Sequence, residues 1–136
     1  SAGQKDPRFS FCQFRASSLA RWKRACQPAP SMDPSLDLSQ KDLAWIGDAV
    51  LALYAREWLL REPEHPVYSR QDRFLWFTSN AFLQALGDPT AVEAEIGHWY
   101  RSEGLAAAYR HIESTLLPLF RKQLRNRSRG QRGRKR

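Results

Sequence analysis

The chain has 136 residues, of which 42% are hydrophobic and 26% are charged, and its formal net charge is +8. A chain of this length forms one compact domain and is too short for two of ordinary size. No apolar run reaches the roughly 18 to 20 residues needed to cross a bilayer. Its two cysteines, Cys12 and Cys26, have no paired metal-ligand spacing. The composition therefore argues against a membrane protein, a zinc site and a disulfide scaffold.

The charge is unevenly distributed along the chain. Residues 121–136 hold nine Arg and Lys and no acid, whereas residues 1–31 hold six basic side chains and one acid, and residues 32–120 carry −6. Such an arginine-rich segment buries little apolar surface, so it is expected to be disordered when free and to attract polyanions. We predict a basic, disordered arm at 1–31, a folded domain at 32–120 and a disordered RNA-binding tail at 121–136.

Binding through this tail should depend strongly on salt and little on base sequence. A solubilising tail or an address signal is the alternative. The predicted RNA-binding residues are Arg121, Lys122, Arg125, Arg127, Arg129, Arg132, Arg134, Lys135 and Arg136.

The amino-terminal arm is rich in Arg and Ser and poor in acid, as organellar transit peptides are. It also fits a disordered extension, or sequence upstream of a start at Met32, which is the only methionine. We expect a cytoplasmic protein, with the mitochondrion or chloroplast as the alternative if residues 1–31 are a transit peptide.

The first two helices are predicted from capping boxes. Ser39 and Asp42 precede an apolar run, which indicates a helix continuing to about Leu60, and prolines follow it. Ser69 and Asp72 repeat the pattern. They predict a second helix that extends to about residue 86, with a glycine at its carboxyl end.

Two further helices follow. Asp88 and Pro89 are typical of an N-cap and first turn, so we predict a third helix from Pro89 to Ser102 that Gly104 stops. A fourth begins near residue 105 and should kink or lose its regularity at Pro118. Because no segment alternates apolar and polar residues convincingly, the predicted fold class is all-α, with a single helical domain.

The aromatic and imidazole side chains give weaker indications. We expect the tryptophans of the helices to pack in the core or in an interface rather than to stack on bases. The histidines lack cysteine neighbours and helical pairing, and we expect them to be surface or partly buried polar residues. These residues are Trp45, Trp58, Trp76, Trp99, His65, His98 and His111.

Asp48 stands inside the apolar run LAWIGDAVLALY, so we expect it to be buried. A buried carboxylate costs several kcal/mol unless a cation or hydrogen bonds compensate it. One interpretation is a salt bridge to an arginine such as Arg73 or Arg101. The other is a divalent metal ion, which requires a second carboxylate on a facing helix.

Glu93 is the candidate for that second carboxylate. It lies one turn before Gly97, and Gly47 is next to Asp48. A glycine inside a helix costs about 1 kcal/mol relative to alanine, so glycines beside both acids indicate close helix packing or a ligand. Glu95 points about 200° round the helix from Glu93 and is expected to face solvent.

Three segments resemble the ribonuclease III domain. KDLAWIGDAVLAL is similar to the signature helix of that family, and TAVEAEIGHWYRSEGLAAAYRHIESTLLPLF resembles its second conserved segment and the following helix. TSNAFLQAL between them is similar to the intervening helix. Together the segments cover most of residues 40–120 in the order of the family.

The family carries four acidic metal-site positions, and two of them differ here. Ala44 and Thr90 stand where a glutamate and an aspartate are expected, which leaves Asp48 and Glu93. The same combination resembles Mini-ribonuclease III, a dimeric and active branch without a separate double-stranded-RNA-binding domain. Unlike that branch, this chain has almost no helical stretch between the intervening helix and the glutamate-bearing one.

The resemblance implies a metal-dependent endoribonuclease that cleaves double-stranded regions of structured RNA. Asp48 and Glu93 would be the catalytic residues and would bind Mg²⁺, with Mn²⁺ as a possible substitute. A homodimer, and a precursor of large-subunit ribosomal RNA as substrate, are also implied. Two alternatives stay open: a catalytically degenerate ribonuclease III-like domain that binds RNA or the ribosome, and a helical protein-interaction adaptor.

Overall fold

The computed structural model describes residues 37–134, so the predicted arm at 1–31, with both cysteines, lies outside the described residues. This part of the chain is helical and contains no strand, which confirms the all-α prediction. No helix between residues 37 and 134 is long and apolar enough to span a membrane. The helices are α1 (Gln40–Arg61), α2 (Arg70–Phe77), α3 (Asn80–Leu83), α4 (Pro89–Glu103) and α5 (Leu105–Arg134).

Both predicted capping boxes are confirmed. At α1 the Ser39 hydroxyl accepts from the backbone N–H of Asp42 at 3.2 Å, and the Asp42 carboxylate accepts from the backbone N–H of Ser39 at 3.1 Å. Ser69 and Asp72 form the same reciprocal pair at α2, at 3.0 and 3.2 Å. Each box satisfies two N–H groups that a helix start leaves without an intrahelical acceptor, so each fixes where its helix begins.

The predicted second helix is wrong in its length, because it is interrupted after Phe77 and resumes as the short α3. The Thr78 hydroxyl donates to the carbonyl of Phe74 at 3.0 Å, and the Ser79 hydroxyl donates to that of Trp76 at 2.7 Å. Ser79 also caps α3 by accepting from the backbone N–H of Phe82. Two adjacent hydroxyl side chains thus compete with the helical hydrogen bonds and end the helix.

Helix α4 begins at Pro89 as predicted and ends at Glu103, one residue later than predicted. Asp88 is the N-cap and accepts from the backbone N–H of Ala91 at 3.0 Å, with Pro89 in the first turn. Gly104 ends the helix at a φ of 94°, and Gly87 precedes it at a φ of 144°. Glycine adopts these positive values without steric cost, so both turns require it.

The fourth predicted helix differs in two respects from the observed α5. The helix does not end at Pro118, and it extends to Arg134. The prediction that the tail is disordered is therefore wrong for residues 121–134. Lys135 and Arg136 lie outside the described residues.

Local preference and packing explain the helical tail. Arg, Lys, Gln and Leu are good helix formers, and positive side chains near a helix carboxyl terminus interact favourably with its dipole. Leu124 packs against the core, and the Ser128 hydroxyl lies 3.2 Å from Nε2 of His65. Leu124 and Ser128 follow Phe120 at intervals of four residues, so they lie on the same face of the helix. The charge composition of the segment did not indicate these two contacts.

An aromatic cluster forms the centre of the core. The ring of Phe120 lies 4.6 Å from that of Phe77, 5.5 Å from that of Phe82 and 5.9 Å from that of Trp58, centroid to centroid. Tyr54 is fully buried and tilts against Phe77 at 6.3 Å. This cluster joins α1, α2, α3 and α5, and so fixes the carboxyl half of α1 against the start of the basic segment.

His65 organises the loop between α1 and α2. Its Nδ1 accepts from the backbone N–H groups of Val67 at 3.2 Å and Tyr68 at 3.1 Å. Nε2 therefore carries the proton of the neutral ring and faces the hydroxyl of Ser128. Burial and the positive charges of Arg73 and Arg132 lower the pKa of His65, which keeps the ring neutral.

This arrangement predicts a pH-dependent contribution to stability. The pKa of His65 is lower in the folded chain than its ordinary 6.5, so the contribution is present above that value and is lost as the pH falls through the folded value. His65→Asn keeps an acceptor at the position of Nδ1 and cannot titrate. In urea unfolding from about pH 7.5 to about pH 5, the wild type should lose more stability than this variant. Parallel curves would contradict the assignment.

Candidate functional site

Helices α1 and α4 cross at two glycines. A Cβ on Gly47 would overlap the backbone carbonyl of Glu93, and a Cβ on Gly97 would overlap that of Leu43. The Cβ on Gly97 would also lie 3.2 Å from the backbone N of Gly47. The predicted reason for these glycines, a close approach of the two helices, is thereby confirmed. Since Gly47 precedes Asp48 and contacts the backbone of Glu93, the crossing brings the two acidic residues to the same place.

Asp48 is exposed, so the prediction that it is buried is wrong. The face of α1 that packs in the core contains Ala44, Gly47 and Leu51, and Asp48 lies at the edge of that face. The apolar run misled because its remaining apolar side chains do not all enter the core: Trp45 is 80% exposed. Because its carboxylate is in contact with water, Asp48 does not need a partner to offset the cost of burial.

Glu93 is partly buried, and its environment is unfavourable for a negative charge. Burial, the charge of Asp48 and the charge of Asp88, in that order, raise the pKa of Glu93 above its ordinary 4.5. Asp88 was missed as part of this site because its position before a proline indicated an N-cap, which it also is. Glu95 is exposed, as predicted.

Within residues 37–134 no ion pair or hydrogen bond offsets the charge of Asp48 or Glu93. The ion pairs formed there include none between Asp48 and either predicted arginine, Arg73 or Arg101. Arg73 instead directs Nη1 towards the carbonyl of Pro63 at 3.5 Å. The two carboxylates thus form a negatively charged place that has no compensating cation in the described chain.

The donor set is small but suits a hard divalent ion. Ala44 is buried and Thr90 is partly exposed, so neither supplies a carboxylate at the crossing. No cluster of three or more His, Cys, Asp or Glu able to hold a metal occurs in the described part of the chain. Mg²⁺ commonly binds through one or two carboxylates and keeps several waters, and two oxygen ligands from Asp48 and Glu93 meet that requirement.

The predicted RNA-binding residues divide into groups along α5. Arg121 pairs with Glu62 at 3.4 Å, and the guanidinium of Arg127 lies 3.9 Å from the ring centroid of Trp76. Lys122 and Arg134 are exposed. The remaining described members line an open cleft next to the loop between α1 and α2; they are Arg125, Arg129 and Arg132.

The tryptophans and histidines have different environments. Trp58 is buried in the core, as predicted, and Trp76 is partly buried and packs against the core. Trp45 and Trp99 are exposed, so neither is a core residue in this chain by itself. The histidines are exposed or partly buried, as expected: His98 is exposed and the other two are partly buried.

An apolar stripe runs along the outer face of α1 beside Asp48. Trp45 is 80% exposed, Leu60 66% and Leu53 42%. At 100° per residue these side chains lie within about 80° of arc on the helix. Exposed apolar side chains of this size on one helix face are available for an interaction with a partner.

Searches of protein-family models, of curated proteins and of solved structures found no match to this chain. The likeness to the ribonuclease III domain therefore depends on the three quoted segments. Function is best argued from the two carboxylates at the glycine crossing and from the basic end of α5.

Proposed function

We propose that this protein is a metal-dependent endoribonuclease that cleaves double-stranded regions of structured RNA. The observation that carries the proposal is the meeting of Asp48 and Glu93 at a helix crossing that requires Gly47 and Gly97. The charge of Asp48 raises the pKa of Glu93, and no cation within residues 37–134 pairs with either acid. A divalent cation, Mg²⁺ with Mn²⁺ as a substitute, would offset both charges.

Asp48 and Glu93 have distinct tasks in this proposal. Asp48 is exposed and offers its oxygens to a metal and to the solvent side of the site, whereas Glu93 is partly buried and would hold the metal from the inner side. Bound Mg²⁺ would lower the pKa of a coordinated water and stabilise negative charge on the phosphodiester as it is cleaved. The expected products carry a 5′-phosphate and a 3′-hydroxyl.

A two-fold homodimer is the second part of the proposal. Trp45, at one end of the apolar stripe that also contains Leu53 and Leu60, is three residues from Asp48 on α1, so a partner covering that end would lie next to the metal site. Two-fold symmetry would then place one site near each strand of an A-form duplex, and one cut would be made in each strand. Shape and backbone contacts would select such a substrate.

The charge distribution supports RNA as the substrate. Residues 32–120 carry −6, and the nine basic residues of the following segment supply the attraction to a polyanion. The resemblance to Mini-ribonuclease III suggests a precursor of large-subunit ribosomal RNA as the substrate. It also suggests the cytoplasm as the compartment, or an organelle if residues 1–31 direct import.

Neutralising exposed tail residues should weaken RNA binding and reduce its salt dependence. In Lys122→Gln/Arg134→Gln, the logarithm of the RNA association constant should depend less steeply on log salt. The magnitude of the slope should decrease by about 1 to 2, because each lost phosphate contact removes about 0.9. The substitution avoids the contacts of Leu124 and Ser128 that hold the helix. Fluorescence anisotropy across a salt series measures the RNA affinity and hence the slope, with Arg61→Gln/Arg110→Gln as the charge-matched control. An equal slope in both variants would remove the tail from the binding surface.

The direct experiment for the proposed activity is incubation of the full chain with an RNA duplex and Mg²⁺. We expect two staggered cuts, which a sequencing gel locates. The products should carry 5′-phosphates, which a phosphatase removes. The reaction should stop on addition of EDTA. Duplex RNA that remains intact over hours at saturating protein would contradict the proposed activity.

A second candidate function is a non-catalytic RNA-binding or ribosome-associated domain. It is favoured by Ala44 and Thr90, which occupy the other two expected acidic positions and leave two carboxylates at the crossing. Tight, salt-dependent RNA binding with no cleavage in Mg²⁺ or Mn²⁺ would select this function. The adaptor alternative required an arginine paired with Asp48, and no such pair forms within the described residues.

A further inference from the structure

An open cleft of about 520 Å³ lies between α5 and the loop that joins α1 to α2. Five arginines and two glutamates line it, together with Trp58 and His65. The cleft is separate from the proposed metal site: Trp58, its lining residue on α1, lies 10 residues after Asp48, which corresponds to about 15 Å along the helix axis. Its arginines are Arg73, Arg121, Arg125, Arg129 and Arg132, and its acids are Glu62 and Glu64.

Arg73 is the charged residue that is buried among residues 37–134, at 4% exposure. Its Nε has no hydrogen-bond acceptor within the described residues, and Nη1 makes a long hydrogen bond of 3.5 Å to the carbonyl of Pro63. No carboxylate within the described chain forms an ion pair with it. A buried guanidinium without a counter-charge is costly, and an anion in the cleft would offset that cost.

Trp58, which also lines the cleft, has an unsatisfied donor. The indole Nε1–H of Trp58 is buried and has no acceptor in the described chain. Buried donors without a partner are rare in proteins, and an ion or ordered water commonly explains them. Two such donors from different helices, Trp58 on α1 and Arg73 on α2, line the same cleft.

The acids of the cleft do not neutralise it. Glu62 is engaged by Arg121 at 3.4 Å, and Glu64 forms no ion pair within residues 37–134. Arg125, Arg129 and Arg132 lie exposed on α5 and face the cleft without a carboxylate partner there. Burial, and after it the charges of Arg73 and Arg132, lower the pKa of His65, and the contribution of the two arginines reflects the positive charge of the cleft.

We propose that this cleft binds a phosphate group, held by Arg73 and the indole of Trp58 at its base and by Arg129 and Arg132 at its rim. Guanidinium groups match phosphate oxygens with paired, charge-assisted hydrogen bonds. Together with Arg125, these two rim arginines of α5 extend over about 10 Å of helix, so a chain of phosphates would continue along them. The source of the phosphate is the RNA backbone, a step that rests on the proposed function, and free inorganic phosphate is the other source of the same chemistry.

The test uses the full chain, titrated with inorganic phosphate at constant ionic strength. NMR follows the Nε–H signal of Arg73 and the indole N–H signal of Trp58. Both signals should shift and saturate. In Arg129→Gln/Arg132→Gln, which changes exposed residues and leaves the core intact, half-saturation should need about tenfold more phosphate. The charge-matched control Arg61→Gln/Arg110→Gln should bind as the wild type does.

Two results would overturn the phosphate site: no saturable shift in the wild type, or the same affinity in the rim variant and in the control. An RNA duplex is then added to the Glu93→Gln variant in a buffer without phosphate. Shifts of the same two signals would support the RNA backbone as the source of the phosphate. Unchanged signals would overturn RNA as the source and would favour free inorganic phosphate as the ligand. Cleavage without binding in the cleft refutes this site alone, whereas phosphate binding without cleavage refutes the nuclease alone.

Discussion

Replacing Gly47 by alanine is expected to lower the free energy of unfolding by about 2 to 3 kcal/mol. The new Cβ would overlap the backbone carbonyl of Glu93, and a backbone atom cannot rotate away as a side chain can. Helices α1 and α4 must then separate. The better helix propensity of alanine, about 1 kcal/mol, offsets part of this cost.

Gly130→Ala is the matched control for this substitution. Gly130 also lies inside a helix, but a Cβ there would meet nothing within 4 Å. Alanine at this position should therefore raise stability by up to about 1 kcal/mol. Urea unfolding followed by circular dichroism compares the two variants. A Gly47→Ala protein as stable as the wild type would contradict the close crossing, and with it the placement of Asp48 beside Glu93.

Asp48→Asn and Glu93→Gln should each reduce RNA cleavage by about 100-fold or more. Each removes one of two charged ligands, and metal-ion stabilisation of the reacting phosphate contributes several kcal/mol, with about 1.4 kcal/mol for each tenfold in rate. The readout is the single-turnover rate on an RNA duplex. Glu95→Gln, on the same helix but exposed and directed elsewhere, should cleave at the wild-type rate.

Glu93→Gln should not destabilise the metal-free protein at neutral pH. Because the pKa of Glu93 is raised in the folded chain, its favourable contribution is present below the ordinary 4.5 and is lost as the pH rises through the folded value. Glutamine cannot ionise beside Asp48, so this variant should gain stability relative to the wild type between about pH 4.5 and about pH 7. Equal stability of the two proteins throughout that range would contradict the raised pKa of Glu93, which burial and then the charge of Asp48 cause.

Much of the fold follows from local chemistry in the sequence. The capping boxes at Ser39 and Ser69, the N-cap at Asp88 and the turn at Gly104 were all predictable, since each depends on contacts between residues a few positions apart. The paired glycines were predictable as well, because a glycine inside a helix has a cost that close packing explains. The break at Thr78 was missed because two hydroxyl groups override the apolar pattern around them.

What the sequence did not reveal depends on which face of each helix meets another. Asp48 was expected to be buried because its neighbours are apolar, yet Trp45 on the same helix is exposed. The tail was expected to be disordered because of its charge, yet Leu124 and Ser128 attach it to the rest of the fold. The cleft around Arg73 was not predicted, since it combines residues from α1, α2, α5 and a loop.

The proposed function depends on Asp48 and Glu93 binding one divalent cation together, and Mn²⁺ titration followed by electron paramagnetic resonance tests this most directly. We predict about one bound Mn²⁺ per chain that Mg²⁺ displaces. We also predict loss of this binding in both Asp48→Asn and Glu93→Gln, and unchanged binding in Glu95→Gln. Equal Mn²⁺ binding by the wild type and by all three variants, or none by the wild type, would contradict a metal site at the crossing of α1 and α4.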